Sequence, residues 1–309
     1  MTGYIFRRLL QAIPVFLGTT FLIYFMVFAM PGDPILALFG DKTPNPALLE
    51  QLRDQYHLND PFIVQYGYYI AGIFQGDFGT SFSGQPVSDV LATAFPITIR
   101  LALLAILFEV VFGISVGLIS GLRRGGVFDS AALIVSLVLI SLPIFVIAFT
   151  AQFVFGVQLG WFRPTVGEGA PLPDLILPAL VLASINFAVV VRLTRSSVID
   201  TGRQDFVRQA YGKGLSTRRV VPTHVLRNSL IPVTTSIAAD FGILLVGATV
   251  TEGIFNIHGV GGTLFRAIRL SEGPTVVSFV TVMVILYLVV NLLIDLLYGV
   301  LDPRIRYVK

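Results

Sequence analysis

Six stretches of the chain stay apolar for about 20 residues or more: Leu9 to Met30, Thr98 to Leu122, Ala131 to Val157, Leu175 to Leu193, Ile231 to Val250 and Val276 to Leu297. Lipid offers backbone N–H and C=O groups no partner, so a run of that length predicts a helix that crosses the bilayer. None of the six shows the polar alternation of barrel strands. The fold class expected is therefore an all-α membrane protein with six transmembrane helices. The first run follows Arg7 and Arg8 and is longer than the roughly 7 to 15 apolar residues of a signal peptide, so it reads as an uncleaved first helix.

Composition agrees with that pattern. Of 309 residues, 55% are hydrophobic and 13% charged, whereas soluble domains carry about 25% charged residues. Mean hydropathy is +0.83, more apolar surface than a soluble fold can hide. Cysteine is absent, which removes disulfides, thiolate metal sites and cysteine nucleophiles from consideration. The three histidines, His57, His224 and His258, fall in separate loops with no metal-ligand spacing.

Charge then fixes an expected orientation. With the N-terminus inside, the inner loops and ends hold Arg7, Arg8, Arg123, Arg124, the basic residues between Arg192 and Arg227, and Arg304, Arg306 and Lys309. The outer side holds Lys42, Arg53, Arg163, Arg266 and Arg269, with Arg100 at the outer end of the second span. Cytoplasmic loops carry the excess of arginine and lysine, so both termini are expected in the cytoplasm. The domains read as an N-terminal transmembrane helix over 1–30, an extracytoplasmic segment over 31–97, and a five-helix core over 98–309 with a cytoplasmic loop over 194–230.

Two of these connections exceed the roughly 12 to 15 residues beyond which a loop usually holds structure of its own. In the outer one, Asn45 and Pro46 suit the N-cap and first position of a helix. In the inner one, seven basic residues face two acidic ones. There Phe206, Val207, Ala210 and Tyr211 recur at one-face helical spacing, before Gly212 and Gly214 and a new N-cap at Ser216. A short amphipathic helix between two spans is suited to seating in a groove on a soluble partner.

The run Arg208-Gln209-Ala210-Tyr211-Gly212-Lys213-Gly214, followed by Leu226-Arg227-Asn228-Ser229-Leu230-Ile231-Pro232, resembles the cytoplasmic EAA loop of binding-protein-dependent ABC importer permeases. Further segments are similar to the dipeptide, oligopeptide and nickel branch of that family. They are Pro31-Gly32-Asp33-Pro34, Leu58-Asn59-Asp60-Pro61 with Gln65-Tyr66, Gly76 to Ser81, Thr251 to Asn256, and Asp302 to Tyr307. The resemblance implies a type I ABC importer fold, in which the last five spans form a half-channel and the first packs outside it. It implies that Phe206, Val207, Arg208, Ala210, Tyr211 and Gly214 make the helix that couples to the ATPase. It also implies the partners: a second, related permease subunit, two ATPase domains that hold ATP and Mg, and an extracytoplasmic substrate-binding protein. The chain itself is then expected to bind membrane lipid but no cofactor and no nucleic acid, and to be no enzyme. Read directly, the sequence has no G-x-x-x-x-G-K-S/T phosphate loop.

Charges within a bilayer are costly, so Glu109 and Asp240, near the middle of the second and fifth spans, are candidates for the translocation path. Gln152 and Asn186 join them as uncharged hydrogen-bonding candidates. Asn256, Gly259, Gly261 and Gly262 are candidates for a gate or for contact with the binding protein, because glycines let a backbone turn tightly. The rival function is an ion-gradient-driven secondary transporter; the same ABC architecture importing nickel chelates or haem is a narrower alternative.

Overall fold

The computed structural model describes residues 2–29, 45–55, 57–81 and 84–301. Among them the regular structure is helical, apart from an isolated bridge between Thr80 and Pro86. The chain divides into two compact units, Met1–Thr98 with His258–Lys309, and Ile99–Ile257. The last helices thus group with the N-terminal residues.

In the first unit, α1 (Thr2–Phe28), α2 (Pro46–Gln55) and α3 (Phe62–Phe74) precede α4 (Val87–Phe108), and α12 (Val260–Arg269) and α13 (Gly273–Leu301) come from the far end of the chain. Asn45 caps α2 as its sequence suggests, its Oδ1 accepting the Ala47 N–H at 3.0 Å. The motif residue Gln65 donates to the Asp60 carbonyl at 2.7 Å. Gly76 and Gly79, both at positive φ, turn the chain between α3 and α4. Leu91, Ala94, Leu264, Val276, Phe279 and Met283 form the apolar core of this unit. Polar clasps cross it: Tyr69 donates to Thr281 Oγ1 at 2.6 Å and Ser278 to the Phe78 carbonyl at 2.6 Å.

In the second unit, the last turns of α4 pass through a π-helical turn, Glu109–Gly113, into α5 (Ile114–Leu122). Then come α6 (Val127–Ser141), α7 (Ile144–Ala151) with a π-helical turn to Gln158, α8 (Leu172–Gly202), α9 (Asp205–Gly212), α10 (Thr217–Val220) and α11 (Arg227–Ile254). Gly113, Gly117 and Gly121 let α5 lie directly on α8. A Cβ at Gly117 would stand 2.6 Å from Thr194 Cβ and 2.7 Å from the Val191 carbonyl oxygen. On its other side α8 is tied to α11 by Ser197 and Ser229, each hydroxyl donating to the other's carbonyl, at 2.9 and 3.2 Å.

Against six expected spans, four helical stretches among the described residues are long and apolar enough to cross a bilayer: Phe6–Phe28, Val87–Leu122, Leu172–Gly202 and Gly273–Leu293. The expected third span is broken, with α6 and α7 meeting at 107°. Pro143 is the cause, because it lacks an N–H and forces the preceding Leu142 into an extended conformation (φ −94°, ψ 131°). The pair would make a fifth crossing. The expected fifth span lies inside α11, which is 28 residues long but interrupted by polar residues from Thr234 to Asp240. The motifs at Pro31–Pro34 and Asp302–Tyr307 lie outside the described residues.

Candidate functional site

The first candidate surface is α9 and its flanks. Gln204 is extended and its carbonyl accepts the Val207 N–H at 3.1 Å, which starts the helix. Its end is a Schellman turn: the Leu215 N–H reaches the Ala210 carbonyl at 3.2 Å, the Gly214 N–H reaches Tyr211 at 2.9 Å, and Gly214 takes φ +79°. After Ser216 the chain continues through α10 into a π-helical turn that absorbs Pro222.

The four apolar residues expected on one outward face are divided. Val207 and Ala210 are buried, packed with Val198, Val220 and Val225 of the same chain. Phe206 and Tyr211 are exposed at 41% and 45%. Helical periodicity identifies one apolar stripe but not what covers it; here its centre anchors α9 to the chain and its edges remain available. Arg208 is also exposed, 3.8 Å from Asp205. A cleft of about 260 Å³ beside α9 is lined by Arg124, Arg203, Val207 and Tyr211.

Near this end of the unit lies a constellation that sequence reasoning missed. Asp129, 2% exposed, receives both the Nε and Nη2 of Arg195, the latter at 2.8 Å, together with the Ser120 hydroxyl and the Gly125 N–H at 2.8 Å. Bidentate pairing of this kind fixes orientation as well as charge. It clamps the α5–α6 turn to α8. An acid at the first turn of α6, beside Arg123 and Arg124, was the available signal.

Within the membrane helices the candidates separate. Gln152 donates to the Pro164 carbonyl at 2.7 Å and the Ile254 carbonyl at 3.1 Å; it ties the end of α7 to α11, and its amide is committed to backbone. Glu109 is fully buried, and no backbone, hydroxyl, amide or cationic donor reaches either of its carboxyl oxygens. The carboxyl of Asp240 lies within hydrogen-bonding reach of it, and Oδ2 has no other partner. Asn186 is buried with Nδ2 unpartnered. Of the expected gate residues, Asn256 makes the turn, at φ 54°, as the Ile257 N–H closes α11 on the Glu252 carbonyl at 2.8 Å. Gly259 is extended, and Gly261 and Gly262 lie buried in the first turn of α12. Gly261 and Gly262 thus belong to a helix and Asn256 supplies the turn.

The described residues thus make an all-helical membrane architecture with a short amphipathic helix seated on α8 and on the π-helical turn before α11. Residues 113–307 match the family of binding-protein-dependent transport system inner membrane components, and residues 1–102 match the N-terminal region of the same membrane components. The chain belongs to this family and is a multi-pass membrane protein. It is similar over nearly its whole length to several curated relatives. The dipeptide transport system permease protein DppB of Alkalihalophilus pseudofirmus is 33% identical, with 99% of this chain and 100% of that one covered. The di/tripeptide transport system permease protein DppB of Pseudomonas aeruginosa is 37% identical, with 99% of each chain covered. The dipeptide transport system permease protein DppB of Escherichia coli is 35% identical, with both chains covered in full.

Proposed function

We propose that this chain forms half of the channel of an ATP-driven peptide importer, and that α9 is where an ATPase subunit grips it. The carrying observation is the division of α9: Val207 and Ala210 hold it to the chain while Phe206 and Tyr211 stand outward, flanked by Arg208 and the Arg124–Arg203 cleft. A helix anchored on one side, with its exit fixed by a Schellman turn at Gly214, moves its surroundings when its outer side is pushed. Peptides are the cargo because the relatives matched over the full chain are dipeptide and di/tripeptide permeases. Energy comes from ATP and Mg bound on the partner ATPase domains. A second, related permease subunit completes the channel, and an extracytoplasmic binding protein delivers substrate. Both termini face the cytoplasm, and the segment over 31–97 faces outward.

The test is Phe206→Glu, which places a charge in the middle of the outward contact without touching the chain's own core. Loss of a central aromatic contact weakens binding by about 2 kcal/mol or more. The variant should insert normally, fail to recover the ATPase on purification, and lose ATP-dependent dipeptide uptake into vesicles. Normal ATPase recovery and uptake would show that the grip lies elsewhere.

A further inference from the structure

Three polar groups recognised separately in the sequence lie at one level of the second unit. On the α5–α8 side, positions 113, 117 and 121 meet 190, 194 and 198 in a parallel register. Four residues back on each side stand Glu109, at the start of the π-helical turn, and Asn186, and that turn packs on α8. On the α8–α11 side, Ser197 and Ser229 meet in an antiparallel register. Eleven residues back along α8 is Asn186, and eleven forward along α11 is Asp240. Eleven residues are just over three full turns, so both also return to nearly the same face. The two registers meet at Asn186, and the mutual proximity of Glu109 and Asp240 agrees with them. Just beyond this level the helices close on a dry seam of Val190, Val233 and Ile237 with Ile106 and Val110.

Buried polar groups are nearly always hydrogen-bonded, and those that are not require an explanation. Here Asn186 Nδ2 is without a partner, and the Glu109 carboxyl and Asp240 Oδ2 have none but each other. The two carboxyls satisfy each other only while they share a proton; once ionised both are acceptors only, and an amide nitrogen is a donor only. Glu109 is sealed, whereas Asp240 is partly exposed, so the cluster is reached from the Asp240 side. The complementary ligand presents a cationic donor beside a neutral acceptor. An α-amino group next to its own carbonyl, the first residue of a peptide with a free amino terminus, has that arrangement.

We infer that Glu109, Asn186 and Asp240 form one site in the membrane that holds a peptide's amino terminus, the two carboxylates accepting from the ammonium and the Asn186 amide donating to the adjacent carbonyl. This rests on the peptide-importer reading. The measurement is ATP-driven uptake by the reconstituted complete complex of two substrates: a dipeptide, and its isostere in which a hydroxyl replaces the amino group. A lost charged hydrogen bond is worth a factor of about ten or more. Glu109→Gln and Asp240→Asn should therefore each reduce the preference for the amino form about ten-fold, with the complex still assembled. Asn186→Ala should slow both substrates alike, because the carbonyl is common to them. An unchanged preference in both acid variants would overturn the inference, as would loss of assembly, which would mean that a basic side chain of another subunit pairs with the acids. If the wild-type complex carries no peptide at all, it is the importer reading that fails.

Discussion

Single residues in this chain divide by what stands next to them. Gly117 has the Val191 carbonyl and Thr194 in the place of a side chain, while Gly67 has nothing within 4 Å. Gly117→Ala should lower stability by about 1 to 3 kcal/mol through overpacking, and Gly67→Ala should leave it unchanged or raise it by up to about 1 kcal/mol; unfolding in detergent measures both. If the two shifts had the same sign, the close approach of α5 and α8 would be wrong. Asp129→Ala leaves Arg195 without its partner, and breaking such a pair costs about 3 kcal/mol or more. The sequence made Glu109 and Asp240 visible as charges in apolar runs, but their meeting was illegible because 131 positions separate them. Asp129 and Arg195 were hidden for the same reason, as each looked like an ordinary charge at a membrane edge. Positive φ at Asn256, where glycine would have been the natural guess, shows the limit of reading turns from residue type.

Elements were legible where local chemistry decides them. Asn45 and Pro46 placed α2, and the spacing from Phe206 to Tyr211 with Gly214 placed α9, because capping, periodicity and left-handed turns act over a few residues. Partner choice does not, which is why Val207 and Ala210 had seemed to face outward. The consequence is testable at the scale of α9. Ala210→Glu buries a charge among Val198, Val220 and Val225 and should detach the helix from its own chain. Phe206→Glu should leave the helix seated. Proteolysis of the 203–219 loop in membranes separates them: faster cleavage than wild type is expected for the first variant only. Apolarity alone also cannot report a bend. The run from Ala131 to Val157 reads as one span, and Pro143 within it turns α6 from α7 by 107°.

For the molecule as a whole, the expected orientation follows from arginine and lysine placement, and the absence of cysteine makes its test simple, since single cysteines can be introduced without removing any. A thiol reagent confined to the outside should label a cysteine placed at 60 or 76, and one at 203 or 213 only after the membrane is opened. Labelling of both from the same side would refute the orientation. Length, hydropathy and charge carried this much because the bilayer constrains every crossing in the same way. They did not reveal that α1 packs on α13, since that pairing joins the two ends of the chain. It has a consequence for the order of events at the ribosome. The second unit is one continuous stretch, so all of it is available to fold before α13 exists. The first unit must wait for about 175 more residues after Thr98, a delay of roughly 9 to 35 s at the usual synthesis rate of about 5 to 20 residues per second. During that interval Ile23 and Val27, which pack on the core that α13 completes, face lipid or an insertion factor instead of their final partners. Nascent chains arrested before Gly273 should accordingly show a protected second unit and a first helix that crosslinks to whatever is holding it.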